Sequence, residues 1–192
     1  DRYLGYMLDL MTTPNPFWGQ AFQTMEEKYG SPGNEGPNRY WNLRGRREAS
    51  DDTKPYLVFK KEFISRIQLE MAAFLDWNQP RTISAQEVIW GGVPVDGIPP
   101  LEHPSFVTAQ EAAAWAYPSD QVVALEVNGE ARVYPRRIID WHEMVNDTVG
   151  GVPVSLANCT LCGSAIAYDG RLGGRVFEFG TSGMLHRSNK LM

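Results

Sequence analysis

The chain has 192 residues, 43% of them hydrophobic, with 18 basic and 23 acidic side chains and a formal net charge of −5. This length allows one large domain, or a domain with an extension, to bury its own core. The acidic balance argues against nucleic acid or an anionic membrane as the main partner, and the lack of an apolar run of about 18 residues predicts no membrane span.

Residues 1–86 are predicted to form a helical, loop-rich N-terminal extension. Asn15-Pro16 is typical of a helix start with proline at the first helical position, and residues 30–55 lack periodicity and predict an extended loop. A stronger helix signal follows, because apolar residues are spaced for one face over about five turns. These residues are Phe59, Phe63, Ile67, Met71, Phe74 and Leu75.

Residues 87–192 are predicted to form an α+β domain, mainly an antiparallel sheet with short helices. Ser84-Ala-Gln-Glu87 and Thr108-Ala-Gln-Glu111 both match the capping box that begins helices. Asn128-Gly129 separates two strand-like segments and is typical of a β-hairpin turn.

The C-terminal elements are predicted as one helix and three strands. The helix runs from Arg136 to about Asn146, where an Asn-Asp-Thr sequence is expected to cap it or turn the backbone. Strands are predicted at 152–157, 164–168 and 175–180, with a turn that contains both cysteines between the first two.

That turn, Cys159-Thr-Leu-Cys162-Gly163, holds the only two cysteines of the chain. Two thiols at this spacing can chelate one metal ion or close a reducible disulfide. The glycine allows a sharp bend in which backbone N–H groups can point at sulfur. Two cysteines fit one disulfide in an oxidising compartment or one metal site in a reducing one, so the spacing alone leaves both open.

A metal site would need more ligands, because a closed structural zinc site has four. His142 and His186 are the candidate partners, giving two sulfurs and two imidazoles, and Met184 or Met192 could add a thioether. Such a soft donor set favours copper before zinc. No nucleotide is predicted, because the paired glycines lack the lysine and hydroxyl of a phosphate loop.

Several ordered motifs also carry a family resemblance. They are Trp90-Gly-Gly-Val-Pro-Val-Asp-Gly-Ile-Pro-Pro-Leu101, Val123–Pro135, Trp141-His142-Glu143, Asn146-Asp147-Thr148, Gly150-Gly151-Val152-Pro153-Val154, Cys159-x-x-Cys162-Gly163-Ser164-Ala165 and Phe179-Gly180-x-Ser182-Gly183. Over about residues 87–192 the chain closely resembles the microbial family called domain of unknown function 3179. Its N-terminal part resembles the extensions of longer members.

The resemblance implies no activity, because none is established for the family. It implies an extracytoplasmic location, periplasmic or secreted, since members are often exported. It also implies that the domain runs past residue 192, so the chain is expected to be truncated at its C-terminus. One departure concerns the cysteine turn, where Thr160 stands in place of the proline that members commonly have.

Three functions are compatible with these observations. In the first, the cysteine turn of an extracytoplasmic domain binds a thiophilic metal for electron transfer, metal handling or metal-assisted oxidation. In the second, the protein is a thiol–disulfide oxidoreductase in which the more exposed cysteine attacks a partner disulfide and the other resolves it. In the third, it is a non-catalytic binding or assembly module with a structural disulfide, and the N-terminal helices cover a protein partner. Whether the protein is an enzyme stays open.

Overall fold

A computed structural model of the protein describes Asp9, residues 52–187 and residues 189–192. The predicted helix after Asn15-Pro16 lies outside the described residues, as does nearly all of the predicted loop at 30–55. The chain divides into two compact units, Asp1–Gly92 with Met184–Ser188 and Val93–Gly183 with Asn189–Met192. The predicted domain boundary between residues 86 and 87 stays a prediction.

The described part of the first unit contains helices and one antiparallel strand pair. Its elements are α1 (Lys54–Ile67), two 3₁₀ helices (Leu69–Phe74 and Ala85–Glu87), β1 (Val88–Trp90) and β10 (Met184–His186). Strand β1 pairs with β10 so that Val88 lies opposite His186. No helix among the described residues is long and apolar enough to span a membrane.

The predicted five-turn helix is interrupted, and its buried face differs from the prediction. Gln68 is extended, with φ −155° and ψ 126°, so α1 ends there and a 3₁₀ turn follows. The buried row of α1 contains Tyr56, Lys60 and Ile64, while Phe74 is 51% exposed. Apolar spacing could not reveal this face, because a lysine lies at its centre.

Lys60 is buried because it is paired. Its ammonium group contacts the Asp9 carboxylate and donates to the carbonyl oxygen of Val88, while Tyr56 donates to the same carboxylate at 2.7 Å. A buried cation is tolerated only with such partners.

The capping box predicted at Ser84–Glu87 is wrong. The Ser84 hydroxyl accepts from the N–H of Gln86 instead of Glu87, and the segment is a single 3₁₀ turn. The Glu87 carboxylate contacts His186 and Arg187 instead of accepting from the backbone N–H of Ser84, as a capping box requires.

The second unit is mainly antiparallel sheet, which confirms the predicted α+β class. Its elements are β2 (Leu101–Glu102), α2 (Ala109–Ala112), β3 (Val122–Val127), β4 (Glu130–Pro135), α3 (Arg136–Ile139), β5 (Met144–Val149), β6 (Val152–Cys159), β7 (Ser164–Asp169), β8 (Arg171–Leu172), β9 (Arg175–Val176) and β11 (Asn189–Lys190). The main sheet has the order β2-β5-β6-β7, in which only the β2–β5 pair is parallel. Strands β3 and β4 form one hairpin, and β8 and β9 form another.

Two local predictions are confirmed in this unit. Asn128 and Gly129 both have positive φ, 50° and 81°, as a two-residue hairpin turn between β3 and β4 requires. The capping box at Thr108 and Glu111 is complete, because each residue's side chain accepts from the other's backbone N–H.

The helix predicted from Arg136 to about Asn146 is wrong beyond its first turn. Helix α3 ends at Ile139, and β5 begins at Met144. All of β5, including Val145 and Val149, pairs with β6, and this sheet pairing outweighs the weak helical pattern of the segment. The strand predicted at 175–180 is also shorter and ends at Val176.

A small core holds β6 in place. Tyr134, Ile139, Val145 and Leu156 are buried together, and the last two are register partners on β5 and β6. The Tyr134 hydroxyl donates to Asp147 at 2.8 Å. The pKa of Tyr134 is raised, mainly by burial and secondly by its hydrogen bond with the Asp147 carboxylate. The C-terminal end of β6 is therefore fixed by packing, and it carries the first cysteine.

Candidate functional site

The two cysteines lie at a bend between paired strands. Cys159 is the last residue of β6 and lies opposite Ser164, the first residue of β7. Gly163 completes the bend with φ +65°, a conformation that favours glycine. Both cysteines are thiols, Cys159 half-buried and Cys162 exposed.

The bend brings the two sulfur atoms together. The backbone N–H of Cys162 donates to the Sγ atom of Cys159 at 3.2 Å. The Cys162 thiol also donates to the side-chain oxygen of Asn189 at 3.3 Å. The predicted local geometry, in which a backbone N–H points at sulfur, is therefore confirmed.

The pKa of the Cys162 thiol is raised above its ordinary value. The main cause is a side-chain hydrogen bond with Cys159, followed by partial burial and the charges of Cys159 and Glu143, while the Lys190 ammonium opposes the shift. Cys162 therefore stays protonated at neutral pH unless a ligand displaces its proton.

A buried lysine accompanies the thiols. Lys190, on β11, is 11% exposed and donates to the carbonyl oxygens of Glu143 and Asn158, the latter at 2.8 Å. Its Nζ lies 3.8 Å from a carboxylate oxygen of Glu143. Burial lowers the pKa of Lys190, while Glu143 and both cysteines act in the opposite direction. These three carbonyl and carboxylate contacts fix a cation near two groups that can become anions.

Glu143 connects the turn to this cation. The Thr160 hydroxyl donates to its carboxylate at 3.0 Å, and its backbone has φ +57°. The Thr160 side chain therefore ties the cysteine turn to Glu143.

His142 lies in the second unit, in the turn after α3. Its Nδ1 is 3.0 Å from the carbonyl oxygen of Pro99, so Nδ1 donates and Nε2 keeps its lone pair. A histidine oriented in this way can bind a metal. However, the described residues do not bring ligand atoms of His142 and both cysteines within 4.8 Å of one another.

His186 lies in the first unit, on β10. Its Nε2 is 3.2 Å from the Glu87 carboxylate, which also accepts from Arg187 at 2.6 Å. One of the two imidazole nitrogens of His186 is thus in contact with a buried carboxylate. Its predicted role as a ligand stays a prediction.

Among the described residues, one group brings three metal-binding side chains within 4.8 Å of one another, namely Glu102, His103 and Glu178. All three are exposed, and His103 Nε2 is 3.2 Å from Glu178. The sequence did not indicate this group, because Glu178 is far from the other two along the chain.

Lys190 and Asn189 were also missed. They follow Cys162 by more than 25 residues, and neither lies in a motif that indicates contact with a thiol. Only the pairing of distant segments brings them to the turn.

Residues 95–192, just over half of the chain, match the family described as "Protein of unknown function (DUF3179)". No curated protein matches the chain. No solved structure matches it either.

Proposed function

Since the chain belongs to the DUF3179 family of proteins of unknown function, we propose its function from the chemistry of the cysteine turn: Cys159 and Cys162 bind Cu(I) as cargo. The observation that carries the proposal is the contact between the two cysteines, with the Cys162 N–H directed at the Cys159 sulfur. This contact keeps both sulfurs at one bend, where a single soft ion can bridge them.

The number of ligands at the turn favours copper over zinc. A structural zinc site is closed by four ligands, and a catalytic one has three from the protein. In the described part of the second unit, no third histidine, cysteine or carboxylate joins the two cysteines within 4.8 Å. Cu(I) is soft and is satisfied by two thiolates, so it matches the donor set that this unit presents.

The charge near the turn also favours this ion. Two thiolates around a monovalent cation leave one net negative charge, which costs free energy at a partly buried site unless a cation offsets it. Lys190 supplies that cation, although the Glu143 carboxylate, 3.8 Å from its Nζ, offsets part of the charge. Its ammonium group is held by the carbonyl oxygens of Glu143 and Asn158. The same cation would repel a divalent ion more strongly than a monovalent one.

The exposure of the cysteine turn favours metal handling over electron transfer and metal-assisted oxidation. Cys162 is exposed and its neighbour Leu161 is 85% exposed, so thiolates of a partner can approach the bound ion. Transfer would then proceed by exchange of thiolate ligands. An extracytoplasmic location and a partner bound by the N-terminal helices stay predictions.

Elemental analysis tests the proposal. Protein purified without oxygen and loaded with Cu(I) should retain one copper per chain after desalting, and zinc should be lost. Replacing both Cys159 and Cys162 with serine should remove the copper while the free energy of unfolding changes by less than about 1 kcal/mol, as expected for a half-exposed turn. A Ser164→Ala variant is the matched control and should retain copper. Equal copper retention by the double-serine variant would refute the proposal.

Thiol–disulfide exchange is a second candidate, favoured by the exposure of Cys162 beside Cys159. The Cys162 thiolate would attack a partner disulfide, form a mixed disulfide and release one partner thiolate. The Cys159 thiolate would then attack Cys162, close a disulfide and release the second partner thiolate. The raised pKa of Cys162 slows the first step at neutral pH.

A Cys159→Ser variant separates the two candidates. It removes the resolving thiol, so an oxidoreductase should accumulate a mixed disulfide through Cys162 with a linear disulfide substrate such as oxidised glutathione, which releases one glutathione thiolate, and the adduct should be visible by mass spectrometry. A copper-handling protein should instead lose copper and trap no more adduct than a surface cysteine of ordinary pKa.

A further inference from the structure

A cavity of about 390 Å³ lies in the second unit beside the cysteine turn. Val122 and Val123 of β3 and Ala165 of β7 give it apolar walls, while Arg136 of α3 and Asn158 of β6 contribute polar ones. Its volume falls in the range of pockets that bind small molecules, about 300–1,000 Å³.

Two polar atoms of the residues that line this cavity lack a hydrogen-bond partner. Asn158 is 0% exposed, and its amide nitrogen donates to Asp140 at 2.8 Å, which fixes the orientation of the side chain. Its Oδ1 then has no partner in the part of the chain that the structure describes. The Nε of Arg136 is also buried without a partner there. Leaving a buried donor or acceptor unpaired costs about 1–3 kcal/mol of folding free energy. Two such atoms among the residues that line one cavity therefore require an explanation.

The cavity borders the cysteine turn, because Gly163 and Ser164 also line it, but the thiols are not among its lining groups. Asn158 and Cys159 are consecutive residues of β6, so their side chains leave opposite faces of the sheet. A ligand in this cavity therefore need not involve copper, and the inference is independent of the proposed function.

The charges of Arg136 and Asp140 limit the class of ligand that this cavity can bind. Arg136 already contacts the Asp140 carboxylate at 3.3 Å, so its positive charge is largely offset. A second carboxylate beside Arg136 would lie near that of Asp140 and be repelled. A neutral group that offers both a carbonyl oxygen and an N–H satisfies Arg136 Nε and Asn158 Oδ1 together.

We propose that this cavity binds a small molecule with an unsubstituted amide edge, in which C=O lies beside N–H. The carbonyl oxygen accepts from Arg136 Nε, and the N–H donates to Asn158 Oδ1. The apolar remainder packs against Val122, Val123 and Ala165. Because both polar atoms are covered in the ligand-free protein, the Arg136 and Asn158 side chains must shift slightly when the ligand enters.

Benzamide is a suitable probe, because its ring fits the apolar wall and its amide presents both groups. In ¹H–¹⁵N correlation spectra of the full chain, benzamide should shift the resonances of Val122, Asn158 and Ala165. N,N-dimethylbenzamide lacks the N–H, and benzoate is charged, so each should bind at least about tenfold more weakly, as expected for one unpaired buried group.

Two variants locate the site. Ala165→Trp fills the cavity from an exposed strand position and should abolish the shifts, while Arg136→Lys keeps the charge, removes Nε and should weaken binding. Ala131→Trp, at an exposed strand position outside the cavity, is the matched control and should bind benzamide like the unchanged protein. No binding of benzamide, equal binding of the dimethyl or carboxylate probe, or unchanged binding by Ala165→Trp would overturn the proposal.

Discussion

Asn146 and the cysteine turn lie at different positions in the same sheet, and they differ in how many of their polar groups have hydrogen-bond partners. Asn146, on β5, is buried and makes four hydrogen bonds. Its amide group donates to Glu102 and to the carbonyl oxygen of Phe179, and its oxygen accepts from Ser155 and from the N–H of Phe179. An asparagine side chain has no further capacity of this kind.

The cysteine turn is arranged in the opposite way. Its sulfur atoms make only weak hydrogen bonds, one accepted from the Cys162 N–H and one donated to the exposed Asn189 side chain. The ammonium group of Lys190 lies nearby. A saturated buried group can contribute only to stability, whereas a half-exposed thiol pair beside a cation retains capacity for a ligand. The comparison therefore separates a structural cluster from the cluster that we propose to be functional.

Replacing Asn146 should have the largest effect on the structure. Asn146→Ala leaves Ser155, Glu102 and both backbone groups of Phe179 without their partner, so the free energy of unfolding should fall by about 3 kcal/mol. Urea denaturation measures this loss. Thr148→Ala, at an exposed position on the same strand, should change it by less than about 0.5 kcal/mol. Similar losses for the two variants would break the comparison.

Copper affinity should depend strongly on pH. Below the raised pKa of Cys162, Cu(I) must displace the proton of this thiol, so the affinity should fall as the pH falls. Between pH 7.5 and 6.5 we expect a loss of about tenfold for each proton released, measured by competition with a chromogenic Cu(I) chelator. A pH-independent affinity would show that the thiols are not the ligands.

Removing the cation should weaken copper binding while the ligands remain. Lys190→Met deletes the charge that offsets the copper–thiolate group, and we expect about a tenfold loss of Cu(I) affinity, which corresponds to about 1.4 kcal/mol. The same change at the exposed Lys61 is the control and should leave the affinity unchanged. An unaltered affinity in Lys190→Met would mean that this lysine serves only the fold.

The smallest effect is expected at the glycine of the bend. Gly163→Ala meets no atom within 4 Å but must adopt φ +65°, so it should destabilise the fold by about 1 kcal/mol. Gly173→Ala has a similar φ of +58° and similarly open surroundings, so it should cost about as much. Only Gly163→Ala should also weaken Cu(I) binding. Equal copper affinities in the two variants would show that the bend does not position the sulfurs.

Local sequence signals predicted the local structure correctly in two places and failed at Ser84, whose hydroxyl accepts from Gln86 instead of Glu87. The capping box at Thr108 and the turn at Asn128-Gly129 each depend on a few neighbouring residues, and both are confirmed. The helix predicted from Arg136 to Asn146 was wrong after Ile139. The segment from Met144 forms a strand because it pairs with β6, and a partner strand cannot be read from neighbouring residues. For the same reason the sequence indicated both cysteines but gave no sign of Lys190, which reaches them only through the fold.

X-ray absorption at the copper edge tests the central claim most directly. In the Cu(I)-loaded protein the account predicts two sulfur neighbours at one copper, with no nitrogen, and the double replacement of Cys159 and Cys162 by serine should abolish this signal. Coordination that includes an imidazole nitrogen, such as that of His142, would contradict a two-thiolate site. A bound copper with no sulfur neighbour would contradict the assignment of the cysteine turn altogether.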